Sequence, residues 1–442
     1  MQSSALLRLR KEKNRGDEMD GLDEDRAIAD LRALAQFGKV GTGVNRPALT
    51  DADVAAREWL RGRMAEAGLS ATIDGIGNVF GRAPSARVVL LAGSHSDSVP
   101  NGGWLDGALG VVFALEVARA RQATHPRAAV GVDAVSFSDE EGTFLACAGS
   151  RSFCGALTPP DLRAARNAAQ EPLSDRLDGL GWSARPLARL EPERHRAFLE
   201  AHIEQGPRLM ESGRHIGAVT GIVGVRRRRV RFEGQADHAG TTPMAMRRDA
   251  GMAMHAFALS AAKTLRDAGS ADSVWNLGIV AVKPGAANVV PDEAEIVVEF
   301  RDLSTAVIDR MDEALCAMIA RMDGADGVRA MSSVIGRIEP TQMDERLTAR
   351  VEGAAAREDA LSARMQSGAG HDAMIVGRQI PAAMLFVPSL GGRSHHMSED
   401  TDEKDIRRGL KVYARTAQSI LDALAPDRQG SAPTGQIERP RQ

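Results

Sequence analysis

One stretch, residues 88–110, restricts this chain more than any other. Val88, Val89, Leu90 and Leu91 form a short branched apolar run, the pattern of a buried strand. His95, Asp97 and Asp106 follow, separated by Pro100, Gly102 and Gly103, and a helical pattern begins directly after Gly107. A strand that runs into an imidazole and two carboxylates, beside glycines able to turn tightly, is a place to hold a metal ion. A polar loop on an α/β scaffold fits the same residues. This stretch alone leaves both readings open.

The surrounding pattern predicts an α/β protein in two pieces. At 442 residues the chain exceeds the usual span of one core. Residues 1–22 are charged and lack periodicity, so disorder is expected there, with Met19 as an alternative start. The spacing of Ile28, Leu31, Leu34 and Phe37 predicts a helix from Asp23, and Thr50 or Asp51 caps a second one to about Ala67. Strands are expected over 71–80, 87–92, 131–137 and 197–203, with a helix over 108–123. The last two of these strands run into Ser138-Asp139-Glu140-Glu141 and His202-Ile203-Glu204-Gln205. In open α/β sheets, ligands gather beyond the carboxyl ends of strands, and all three polar clusters stand at such ends.

From Ile216 the texture changes. Strands over 230–232, 275–282 and 294–301 alternate with a helix opened by Thr242 and Pro243 and another over 306–322. The expected organisation is a catalytic α/β domain, with a mixed central sheet flanked by helices, over 23–214 and 329–424. It is interrupted by a smaller α+β lid and dimerisation domain over 215–328. The tail, 425–442, is rich in Pro, Gly, Gln and Arg and expected to be disordered.

Composition narrows the chemistry. The net charge of −3 gives no general affinity for polyanions, and the run Arg226–Arg229 lacks interleaved aromatics, so no nucleic-acid partner is expected. No apolar run approaches a membrane span or a secretory leader, so a cytoplasmic protein without membrane contact is expected. Three cysteines without CxxC spacing point to a reducing compartment. Candidate metal ligands are His95, Asp106, Glu141, His202 and His395. Imidazole and carboxylate without thiolate suit Zn²⁺, Mn²⁺, Co²⁺ or Ni²⁺, and five ligands with one shared carboxylate suffice for two ions. Adjacent Glu140 and Glu141 point opposite ways on extended chain, so they can serve different roles.

Ordered motifs then carry a resemblance over residues 23–424. HSDSVPNGGWLDGALG, SDEEGTF followed by GSR, HIEQGP, DHAGTTPM with RRDA, NVVPDE followed by FR, GAGHDAM and SHHMSEDT resemble the M20 family of di-metal amidohydrolases. The similar branch holds N-carbamoyl-L-amino acid hydrolases, allantoate amidohydrolases and β-ureidopropionases. The resemblance implies that His95 and His202 bind one ion, Glu141 and His395 the other, and that Asp106 bridges both. Asp97 would hold the His95 ring through a hydrogen bond. Glu140 would be the general base, and His238 would stabilise the oxyanion, from the partner subunit of a homodimer. Gln205 would bind the ureido group, and Asn288 and Arg301 the substrate carboxylate. His371 and Asp372 would support the site. The implied reaction is hydrolysis of a C–N bond in a small linear ureido substrate that carries a carboxylate. The resemblance favours an N-carbamoyl-L-amino acid, with allantoate or a β-ureido acid as alternatives; an N-acyl amino acid or peptide, or a silent scaffold, is more distant. His396 adjoins His395; the spacing from Ser394 to Glu399 selects His395.

Overall fold

The computed structural model describes residues 19–425, and the chain divides into two compact units, one of residues up to Thr220 and from Met343, the other Gly221–Gln342. The disorder expected for the termini falls outside the described residues, except at its inner edges. Residues 19–22 are ordered: Met19 is buried, its carbonyl accepts from the Leu22 amide, and Leu22 packs on the core.

The first unit is built on a nine-stranded mixed sheet. Its centre is parallel: Ala382–Val387 lies beside His195–Ile203, which lies beside Val88–His95, which lies beside Val130–Phe137. These strands are buried throughout or nearly so, because helices cover the sheet, and they read as continuous apolar runs for that reason. Antiparallel strands flank them: Val79–Arg82 then Ser70–Ile73 on one side, Ile216–Ile222 on the other. The single strand expected over 71–80 is a hairpin. Asp74 breaks it by accepting the amide hydrogens of Ile76 (3.1 Å) and Asn78 (2.8 Å), which turns the chain.

Register decides where the site falls. His95 lies opposite Phe137, and His202 opposite Phe386, so the carboxyl ends of neighbouring strands finish level. Helix Ala108–Thr124 follows the loop that leaves the first of these ends, and almost every side chain of its first three turns is buried. Helix Asp51–Glu66 is capped by Thr50 and the closing helix Glu403–Leu424 by Asp402, each cap contributing about 1 kcal/mol. In the closing helix Tyr413 is fully buried and its hydroxyl donates to the Leu199 carbonyl at 2.9 Å.

The second unit is a four-stranded antiparallel sheet with two helices, in the order strand, helix, strand, strand, helix, strand. Strand Gly224–Glu233 is central, with Glu293–Asp302 on one side and Arg329–Ile338 on the other; Val274–Lys283 pairs with Glu293–Asp302 at the edge. Its bounds correct the expected 215–328 at both ends. Residues 216–220 belong to the first unit's sheet, paired with Ala382–Val387, and 329–338 complete the second sheet. Helix Ala250–Ala268 starts later than Pro243, capped by Asp249. The Arg248 carbonyl accepts from Gln235 instead of entering a helix, and Met244–Met246 form one 3₁₀ turn. The arginine run is a charge ladder: Arg226, Arg228, Arg229 and Arg231 pair with Asp309, Asp312, Glu295 and Glu293 at 2.5–3.1 Å, and Arg227 pairs with Glu299. Paired in this way, the run presents no free cationic face.

Among the described residues no helix is long and apolar enough to cross a membrane.

Candidate metal centre

The level ends of the parallel strands bring the expected donors of the first unit together. His95 ends its strand and His202 stands one residue from the end of its own. Glu140 and Glu141 follow Val130–Phe137, and His395 follows Ala382–Val387. Asp106 is carried back to them by the turn through Gly102, Gly103 and Gly107. A Cβ on Gly107 would sit 2.5 Å from the His95 ring, and its φ of +63° is one that side chains avoid. On Gly103 a Cβ would overlap the Glu399 carboxyl, at 1.8 Å from Oε1.

Two groups of donors result, each within 4.8 Å: His95, Asp106 and His202; and Asp106, Glu141 and His395. Asp106 Oδ1 is 3.1 Å from His202 Nε2 and 3.7 Å from His95 Nε2, while Oδ2 is 3.5 Å from His395 Nε2. His395 Nε2 is also 3.5 Å from Glu141 Oε2. His396 turns away, its Nδ1 accepting from the Ser398 amide at 3.1 Å. The rings are aimed by main chain: His95 Nδ1 donates to the Asp97 carbonyl at 3.0 Å and His202 Nδ1 to the Ile203 carbonyl at 2.9 Å. With Nδ1 so used, each Nε2 faces Asp106 as a ligating nitrogen does.

Asp97 thus holds the His95 ring as expected, but through its main chain. Its main-chain carbonyl holds His95, whereas its carboxylate is 3.9 Å from Nδ1 and accepts the Glu141 amide hydrogen at 3.2 Å. Gln205 lies at the second group, its Nε2 3.2 Å from Asp106 Oδ2, with Oε1 buried and unpartnered. His371 packs its ring on His202 at 4.5 Å and bonds Ser367 at 2.8 Å; Asp372 is fully buried at the start of a short helix. Glu140 Oε2 stands 3.6 Å from His95 Nε2, outside both donor groups, and the Cys147 thiol donates to its Oε1 at 3.7 Å.

Four residues to which the sequence reading gave no role of their own in the site complete the frame. Glu399 accepts from the Asp106 amide (3.2 Å), the His395 amide (3.2 Å) and Ser394 Oγ (2.8 Å). Asp139, at φ +56°, accepts from Phe144 and Leu145 and so folds the loop that presents Glu140 and Glu141. Glu200, a lone acid inside an apolar strand, accepts from Ser94 Oγ (2.6 Å) and the Ala373 amide (2.9 Å). Arg57 lies against Asp97 at 3.5 Å. A charged residue within an apolar stripe was the visible signal for Glu200 and Arg57.

Electrostatically the cluster lacks positive charge. Burial, then Asp372, Glu141, Asp97 and Asp106, push Glu140 well above the usual carboxylate range. Burial, then Asp106 and Asp97, push Glu141 up to about 9. Burial opposes charging of His202, but the hydrogen bond and charge of Asp106 outweigh it and hold the ring up at about 9. Protons thus stand where a divalent cation would. The orphaned Glu141 Oε1 points to the same deficit. Hard oxygen and imidazole donors in this arrangement fit a divalent cation.

His238, Asn288 and Arg301 lie in the second unit. His238 is bridged to Val289, and the Ala239 amide donates to the Asn288 carbonyl at 3.0 Å, so His238 and Asn288 are neighbours. His238 Nδ1 accepts from the amides of Gly240 (3.0 Å) and Thr241 (3.1 Å), which leaves the ring proton on exposed Nε2. Arg301 is paired with Glu299 at 2.6 Å.

Comparison with known proteins agrees with this geometry. The model of the peptidase family M20/M25/M40 matches residues 91–419. The chain is 33% identical over 402 residues to allantoate amidohydrolase of Bacillus subtilis, covering 89% of this chain and 97% of that protein. It is 33% identical over 410 residues to N-carbamoyl-L-amino-acid amidohydrolase of Paenarthrobacter aurescens, covering 90% and 98%. A hydantoinase/carbamoylase family amidase from Burkholderia phymatum superposes with a TM-score of 0.86 at 44% identity, over 91% of this chain and 99% of that one.

Ligation needs Glu141 ionised and Nε2 of His202 unprotonated, and both carry protons at neutral pH without a cation. Cation binding must therefore expel protons, and affinity should weaken as pH falls from about 9. Calorimetric Zn²⁺ titrations in buffers of different ionisation enthalpy should show release at pH 7. Binding without release would contradict the assignment.

Proposed function

This chain belongs to the M20/M25/M40 peptidase family, and from that premise we propose that it hydrolyses N-carbamoyl-L-amino acids to the amino acid, CO₂ and ammonia. The observation that carries the reading is Glu140: an acid with its side chain only 10% exposed, 3.6 Å from His95 Nε2, that neither donor group uses. A carboxyl in that position is free to move protons, which a scaffold does not require. The 44% identity to a hydantoinase/carbamoylase family amidase supports this substrate over allantoate, the second reading, which the 33% identity to an allantoate amidohydrolase favours.

In the proposed mechanism His95 and His202 with Asp106, and Glu141 and His395 with Asp106, would hold two divalent cations, Zn²⁺ or Mn²⁺, Co²⁺ or Ni²⁺. Such cations supply Lewis acidity toward the ureido carbonyl and the attacking water. Glu140 accepts a proton from that water and returns it to the departing nitrogen. Burial first, and then the neighbouring acids, hold its pKa well above the usual carboxylate range, the direction that favours a carboxyl able to take up and hand on a proton. His238 of the partner subunit would donate from Nε2 to the developing oxyanion. Arg301 offers a planar fork to the substrate carboxylate beside Asn288, and Gln205 bonds the ureido group. The three cysteines are free thiols, in keeping with a cytoplasmic location.

We assign homodimerisation to the second unit. Its edge strand Val274–Lys283 exposes Val274, Ile279 and Val280, a long unpaired apolar edge that a second copy can pair. Light scattering should give twice the chain mass, and Ile279→Lys should shift it to the monomer; a wild-type monomer refutes the assignment.

Ammonia release should be seen with N-carbamoyl-L-amino acids and be weaker with allantoate, and N-acetyl amino acids should yield no free amino acid. No release from any ureido compound by the cation-loaded protein overturns the reading. Glu140→Gln should lower kcat by about 10²- to 10⁴-fold with cation content unchanged; near-wild-type turnover removes Glu140 from the mechanism.

A further inference from the structure

Behind both donor groups lies a buried charge network that the proposed chemistry does not use. Arg57, on helix Asp51–Glu66, is fully buried. Its Nε donates to Asp53 Oδ2 at 2.6 Å, and its Nη1 to the carbonyls of Gly77 (2.9 Å) and Phe137 (3.3 Å). Its Nη2 reaches Asp97 Oδ1 at 3.5 Å. Asp97 passes this restraint in two directions: its carbonyl accepts from His95 Nδ1 and its Oδ2 from the Glu141 amide. One ligand of each donor group therefore hangs on Asp97.

A buried Asp–Arg pair is a poor source of stability, since desolvating both charges costs about as much as their attraction returns, and packed apolar side chains often do as well. Asp53 and Arg57 nevertheless occupy the helix face that continues through Leu60 and Met64, where apolar residues fit. What the pair supplies is direction. The guanidinium is rigid and planar, so with Nε and Nη1 fixed, Nη2 has one place to point. A second buried arginine secures the chain around Asp97: Arg46 Nε donates to the Ser96 carbonyl at 2.7 Å, and the Arg46 amide to Ser98 Oγ at 3.0 Å.

We infer that Arg57, anchored by Asp53, is a positioning residue for the cation centre, setting Asp97 and through it His95 and Glu141. The inference rests on the metal-centre reading. Its test is Zn²⁺ affinity of the full chain, measured by competition with a chromophoric chelator, in Arg57→Lys and in Arg57→Met with Asp53→Asn. The first keeps the charge and loses the fork; the second removes the guanidinium and the Asp53 charge together, so that Asp53 is not left as an unpaired carboxylate while Asp97 loses its guanidinium. Each should bind Zn²⁺ about 10- to 100-fold more weakly while retaining the wild-type circular dichroism spectrum. In an Asp97→Asn background the same changes should weaken binding by no more than about twofold further.

Wild-type affinity in the folded variants overturns the inference, and so does a full additional loss in the Asp97→Asn background, which would make Arg57 act independently of Asp97. Should the double variant not fold, Arg57→Lys and Asp53→Asn decide. A wild-type chain that binds no Zn²⁺ overturns the metal-centre reading itself, a result distinct from normal binding by the variants.

Discussion

The Asp106 carboxylate is buried and has three imidazole nitrogens, from His202, His395 and His95, within 3.7 Å. Burial alone would push its pKa up, yet these three rings hold it well below the usual carboxylate range. The rest of the first unit is arranged to make that meeting possible. Glycines at 103 and 107 leave room for Glu399 and His95 to close on the turn, and Glu399 fixes the Asp106 amide from the far side. Burial and the nearness of Asp106 push Glu140 and Glu141 above the usual carboxylate range, an arrangement that a divalent cation would relieve.

Such an arrangement costs backbone strain. Asp139, Cys147, Gln205 and His395 all adopt positive φ, each at about 1–3 kcal/mol, and all four flank the donor groups. Hydrogen bonds hold them there: Asp139 accepts from two amides, the Cys147 amide donates to the Glu140 carbonyl, and the Gln205 amide to Ser389 Oγ. Helix Ala108–Thr124 and the parallel strands supply the packed support against which this strain is borne. The second unit has a core of its own, with Phe232, Phe257 and Phe300 fully buried between its sheet and helices. It can therefore present His238 and Asn288 on loops without taking stability from the first unit.

Much of this was legible in residue order. Runs such as Val88–Leu91 and Met384–Val387 read as buried strands because both sheet faces are covered, which leaves no polar alternation to confuse the pattern. The closing helix Glu403–Leu424 likewise carries its own start signal, since Asp402 caps it. The reading failed where local signals had competitors. Pro243 is a good helix opener, but the Arg248 carbonyl was already engaged by Gln235. Strand Arg329–Ile338 was assigned to the wrong unit because a half-exposed strand carries no mark of which sheet it will join.

The sequence by itself determined the donor types, their places at strand ends and the mixed α/β architecture, since these follow from apolar periodicity and side-chain chemistry over a few residues. Only the tertiary structure decided that the carbonyl rather than the carboxylate of Asp97 holds His95. It alone put Arg57 and Asp53 behind the site. Each of these depends on the direction of a bond between segments far apart in the chain, and direction is fixed by register and packing, which no local pattern records.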